Sequence, residues 1–226
     1  MVTELEPKPD AVDLLSLEYM QQFFAWHKVD ETELSKARKL VAAGIDLRAN
    51  TGKVKLEYSS TTLMAINELT AEGVYYSAKY QGLNLPDEIG FIDDGDGNPS
   101  DVRSNYTLAR SDVTNKFPNG YIHFSAFHLA LLANKIEGIA SGYQASPGFD
   151  TPSHEMRHIF QKLHSSEQMA QDRLSNKWNE TASEREARAF GNNFALAHQL
   201  HIRKAQLGNL SRFGIGNTII FEASLL

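Results

Sequence analysis

No cysteine occurs among the 226 residues, which excludes disulfide staples, thiolate metal ligands and cysteine nucleophiles together. Any metal here is held by His, Asp or Glu. The absence fits a reducing compartment, and equally a protein exported without a cleaved signal. Basic residues are also scarce: 22 Lys and Arg stand against 28 Asp and Glu, a formal charge of -6. Phosphate backbones bind through clustered cations that release counterions, so nucleic acid is excluded as an expected partner. Long apolar runs are missing too, and the opening MVTELEPKPD is acidic and proline-bearing where a signal sequence is basic and then apolar. The expectation is neither a membrane span nor a secretory leader, and a location that is cytoplasmic or reached by export or translocation without a cleavable signal peptide. Internal repeats, low-complexity tracts and linkers are absent as well.

What is present is an ordinary globular composition, 42% hydrophobic and 22% charged, enough to bury a sizeable core. The reading is one domain over 1–226: a tail at 1–10, a mostly helical scaffold at 11–82 and a core at 88–206 that carries the chemistry. Val12, Leu15, Leu17, Tyr19, Phe23 and Phe24 follow a helical pattern ending near Trp26. Asp30 and Glu33 form a capping pair for a second helix, with its stripe Leu34, Ala37, Leu40 and Val41 and a stop at Gly44. Lys53 to Tyr58 alternates like a short strand, and Ser59, Ser60 and Thr61 then cap a helix running to Gly82. Strands are predicted at Glu88 to Ile92, about Asn105 to Ala109, and Gly120 to Phe124, separated by turn-rich segments. Asp94 to Asn98 reads as an acidic turn, because Pro99 and Asn105 stand where a calcium loop needs Gly and Glu. Helical spacing resumes from Phe127 to Ile139, followed by a loop, SGYQASPGFD.

The segment Thr151 to Phe160 contains His154-Glu155-Met156-Arg157-His158, an H-E-x-x-H pattern. With Thr151 as N-cap and Pro152 as first helical residue, a helix starting here puts both histidines one turn apart on one face, where they can share an ion. Glu155 lies about 100° round the helix, beside the ligand face, where a general base can reach water without binding the metal. Ile159, Phe160 and Leu163 face the other way as apolar anchors.

Zinc needs a third protein ligand and an open position. Glu184 opens a long helical stretch reaching about His201, and Glu184, Ala187, Gly191 and Phe194 share one face with small residues that permit close approach to another helix. Glu180 and Glu186 are alternatives on the same stretch. Thr181 and Glu184 also form a capping-box pattern that needs no metal. His164 is a different candidate, since His154, His158 and His164 have metzincin spacing, H-E-x-x-H-x-x-G-x-x-H; here Gln161 replaces the glycine and favours continuing the helix. His198 and His201 are candidates to order the site, and Tyr143 a conceivable oxyanion donor, while His27, His123 and His128 read as structural.

Over about 120–200 this chain resembles the gluzincin peptidases, zincins in which a glutamate on a later helix, often in an E-x-x-A setting matched here by Glu184 to Ala187, completes the zinc site. Arg188 stands where many gluzincins carry Asp or Asn. The resemblance implies an α+β zincin-like fold: a small mixed sheet, an active-site helix with H-E-x-x-H, a second helix carrying the third ligand, and N-terminal helices. It implies Zn²⁺ on His154, His158 and Glu184, with Glu155 as general base for a zinc-activated water that attacks a peptide or protein substrate. It also implies that Tyr121 to Phe124 is the substrate-side edge strand. The alternative of a different class is a catalytically inactive zincin-fold interaction protein or translocated effector that binds a partner. The oligomeric state is open.

Overall fold

The computed structural model describes residues 13–51, 58–92, 109–136, 147–175 and 180–212. The expected strand at 53–58 therefore lies outside the described residues except for Tyr58, as do the acidic turn at 94–98, Tyr143, and the expected strand start at 105–108. A short 3₁₀ turn at Asp13–Leu15 precedes α1 (Leu17–Trp26) and α2 (Glu31–Thr51). Asp30 caps α2, its Oδ1 accepting from the backbone N–H groups of Thr32 and Glu33 at 3.0 and 3.2 Å. Gly44 does not end this helix. It is the point where α2 presses on the sheet, and a Cβ there would strike the carbonyl oxygen of Ile89. Absence of a side chain serves close packing at this position, and the helix continues for two more turns.

α3 (Ser60–Gln81) begins at Ser59, whose hydroxyl accepts from Thr62 N–H. It ends at Gly82, which takes the left-handed conformation at φ 68° while Leu83 N–H bonds back to Ala78. Both ends agree with the sequence expectation. Three strands follow, β1 (Glu88–Ile92), β2 (Ala109–Asp112) and β3 (Tyr121–Ser125). Of the second strand's expected range only Ala109 is among the described residues, and the strand runs on to Asp112. The sheet order is β1-β3-β2, with β1 parallel and β2 antiparallel to β3. β3 is thus the central strand, hydrogen-bonded on both sides, and cannot be the edge that the sequence reading assigned to Tyr121–Phe124. With its backbone groups turned alternately to β1 and β2, the strand has no free edge left for a peptide. β1 and β2 are the outer strands, each with one edge that pairs with no other strand among the described residues, and of the two it is β2 that carries the Ser111 contact to Glu155 of the helix α5 described next.

α4 (Ala126–Ile136) is followed by α5 (Pro147–His164), α6 (Ser166–Arg173) and α7 (Ala182–Arg212), the last running well past His201. α5 begins a turn before the expected Thr151 cap. Pro147 occupies the first helical position, where a missing N–H costs nothing, and Pro152 sits inside the helix with its ring against Gly73 of α3. The result is an α+β arrangement, mostly helical, with α5 at its centre: α3 on one side, α7 on another, and β2 alongside. Met156 and Ile159 of α5 enter a core with Ile122, Phe124, Leu129, Leu132, Val74 and Ile66. Phe149 and Phe160 belong to a second, aromatic cluster with Phe24, Tyr80, Phe190 and Phe194. Leu163, expected as an anchor, is exposed, and Met156 is the residue that fills the corresponding role. No helix among the described residues is long and apolar enough to cross a membrane.

Candidate metal centre

α5 carries His154 and His158 one turn apart, and their Nε2 atoms stand 3.0 Å from each other. Glu184 of α7 reaches across so that its Oε2 lies 3.1 Å from His158 Nε2 and 3.6 Å from His154 Nε2. These are the only residues among those described that group three potential ligand atoms in this way. His158 and Glu184 are buried and His154 is partly open, so the cluster has one face towards solvent.

The spacing between the helices comes from small residues. α7 crosses α5 at Gly191, packed against His154, and Ala187 is fully buried one turn nearer the site. The capping pattern at Thr181 is also real, and it does not compete with the cluster. Thr181 Oγ1 accepts from the backbone N–H of Glu184 at 3.3 Å, while the Glu184 carboxylate turns to the histidines. Backbone and side chain of one residue thus serve the two purposes separately. Its other oxygen, Oε1, accepts from Arg188 Nη2 at 2.9 Å, which leaves one oxygen facing the imidazoles.

The tautomer of His158 is set by Gln161, the residue that stands in place of the metzincin glycine. Gln161 Nε2 donates to the carbonyl of Ser183 at 3.0 Å, which orients the amide so that Oε1 faces His158 Nδ1 at 2.9 Å. Nδ1 therefore carries a proton and donates it to Gln161. In the neutral ring Nε2 then presents a lone pair, directed at a second imidazole nitrogen and a carboxylate oxygen. Three electron-rich atoms within 3.6 Å of one another repel unless protons or a cation lie between them. Tetrahedral zinc with bonds of about 2.0–2.1 Å separates its ligand atoms by roughly 3.3 Å. The donor set and its spacing fit that ion.

Electrostatics agree. Burial works to raise the Glu184 carboxyl, but hydrogen bonding and charge from His154 and His158 hold it well below the usual carboxylate range. Burial likewise opposes charge on His158, and the Glu184 hydrogen bond with the Glu155 charge overcomes it, so its pKa is raised.

Glu155 is buried, with Oε1 at 4.0 Å from His154 Nε2. Ser111 of β2 donates its hydroxyl to Glu155 Oε2 at 2.7 Å and lies 3.1 Å from the Glu155 carbonyl. Nothing in the local sequence around Ser111 announces this, because the contact joins residues 44 positions apart. Arg157, inside the motif, is buried against Phe160 and Phe190, and ties Glu186 of α7 and Gln81 of α3 to α5.

The other candidates stand elsewhere. Glu186 pairs with Arg157 and Glu180 is exposed ahead of α7. His164 is exposed, stacked on Phe160 with ring centroids 4.2 Å apart, its Nδ1 donating to the Phe160 carbonyl. α5 continues to this residue, as glutamine at 161 favours, so the third histidine never turns back. His198 stacks on Phe149 at 4.1 Å and His201 lies near Phe24, both in the aromatic cluster. His123 pairs with Glu88, His27 with Tyr75, and His128 is fully buried against Phe124. Compared with family models, curated proteins and solved structures, the chain has no match.

Proposed function

We propose that this chain is a zinc-dependent peptidase with a zincin-like fold of gluzincin type, in which His154, His158 and Glu184 hold the metal. The observation that carries the reading is the convergence of two imidazole Nε2 atoms and one carboxylate oxygen from a second helix, at separations that suit a tetrahedral ion. Zinc supplies a Lewis acid that polarises a carbonyl and makes water acidic enough to lose a proton near neutral pH.

The chain's own residues supply the rest. Glu155 stands one residue from the first ligand, buried and fixed by Ser111, in position to take a proton from water and pass it to the leaving amine. β2 borders α5 on the side of Glu155, and its outer edge offers backbone groups along which an extended peptide is aligned. Substrate alignment therefore falls to β2 instead of β3. The burial of Glu155 and His158 keeps bulk water from screening the charges used in proton transfer.

The experiment is Glu155→Gln assayed on mixed peptides beside the wild type. The variant is expected to bind zinc in full and to lose hydrolysis by about 100-fold or more. Equal cleavage by both proteins overturns the assignment of the base. No cleavage by a zinc-loaded wild type favours an interaction protein.

A further inference from the structure

A metal-binding imidazole works only when its ligating nitrogen is unprotonated and aimed, and both conditions are set by whatever holds the other nitrogen. For His158 that partner is Gln161, one turn further along α5, with Oε1 at 2.9 Å from Nδ1. Gln161 is itself buried and is not free to rotate, because its Nε2 donates to the carbonyl of Ser183 at 3.0 Å. Ser183 immediately precedes Glu184, and its own N–H is held by Asp172 Oδ2 at 2.9 Å. The side chain of Gln161 thus touches the orienting nitrogen of one candidate ligand and the backbone next to another.

We infer that Gln161 is the positioning residue of this site, fixing the Nδ1–H tautomer of His158 through its carbonyl oxygen while its amide anchors the first turn of α7 beside Glu184. The inference rests on the zinc reading for its consequence in affinity, though not for the tautomer. Methionine at 161 has the length of glutamine and keeps the helix, yet it offers neither the acceptor nor the donor. Glutamate restores an acceptor for Nδ1–H and lacks the donor to Ser183.

Two measurements decide it. In ¹⁵N-labelled, metal-free protein at alkaline pH, wild-type His158 is expected as the Nδ1–H tautomer, and Gln161→Met as a mixture of tautomers. By chelator competition, Gln161→Met is expected to bind zinc about 10- to 100-fold more weakly than wild type, the range for removing an outer hydrogen-bond partner. Gln161→Glu is expected to recover most of that loss, with the metal-free melting temperatures recorded as the check on folding. Wild-type zinc affinity in Gln161→Met, equal losses in both variants, or the Nε2–H tautomer in the wild type each overturns the positioning role. A wild type that binds no zinc removes the peptidase reading, and the tautomer measurement still decides the role of Gln161.

Discussion

Gly191 of α7 lies directly over His154 of α5: a Cβ added to the glycine would stand 3.2 Å from the His154 Cβ and 2.7 Å from the carbonyl oxygen of Asp150. The two helices that contribute the three candidate ligands are therefore in contact through a residue without a side chain. Alanine at this point gains up to about 1 kcal/mol of helix propensity. It also drives a methyl group into a backbone oxygen at a separation that only a shift of α7 relieves. The clash wins, because neither helix backbone yields as a flexible side chain does.

Gly191→Ala is accordingly expected to lower the melting temperature of the metal-free chain and to weaken zinc binding, since Glu184 moves with α7. Chelator competition and thermal unfolding on the same preparation check it. A rise in melting temperature with unchanged affinity would mean that propensity outweighs the contact.

Ser111→Ala removes the hydroxyl that donates to Glu155 Oε2. The base then loses its fixed orientation, and misplacement of a reacting group costs up to about 100-fold in rate. A fall in kcat of about 10-fold or more is expected, with KM and zinc content close to wild type, because Ser111 touches none of the candidate ligands. Steady-state kinetics with metal analysis separates this outcome from a general loss of structure.

Three residues that share similar chemistry in sequence separate in space, and substitution distinguishes them. Glu184→Gln is expected to cost more zinc affinity than the 10- to 100-fold typical of an outer partner. His164→Ala and Glu180→Gln are expected to cost none, because one stacks on Phe160 at the surface and the other precedes α7. Loss of zinc in His164→Ala would restore the metzincin arrangement.

A buried histidine and a half-buried one make the metal-free chain sensitive to acid. Burial pushes His128 down to about 3, and burial with the neighbouring His201 pushes His198 to about 4, both from an ordinary 6.5. Between those values and 6.5 the unfolded chain takes up protons that the folded chain refuses, so the contribution is complete above the ordinary value and is lost as pH falls towards the folded values. His158, with its raised pKa, acts in the opposite sense, its contribution being lost as pH rises. The urea midpoint of the wild type, compared at about pH 7 and about pH 5, is therefore read against His128→Leu. The variant is expected to lose less stability over that interval. Equal losses would show that His128 does not titrate on unfolding.

Much of the local structure was legible because its causes are local. Asp30 and Ser59 cap the helices that the sequence places after them, Gly82 ends α3, and His154 with His158 meet because four residues make about one turn. The small residues on the Glu184 face pointed to close helix contact, which Gly191 makes. Where a single residue type has two uses, the local signal misled. Gly44 looks like a stop and is a packing contact, and Pro152 looks like a helix start and lies within α5. The edge at Tyr121–Phe124 was implied by the resemblance to zincins, not by a local signal, and β3 sits in the centre of the sheet.

What the sequence by itself determined is the chemistry on offer: a cysteine-free, acidic chain with a histidine pair one turn apart, a carboxylate beside it and several carboxylates downstream. Which of those carboxylates meets the pair was decided only by the crossing of α7 over α5, and the same crossing brought Gln161 to Ser183 while the sheet brought Ser111 to Glu155. The physical reason is that helical periodicity specifies directions within one element, whereas convergence depends on the angle and separation at which elements pack. That separation is set by buried volumes such as Gly191 and Ala187, distributed along the whole interface.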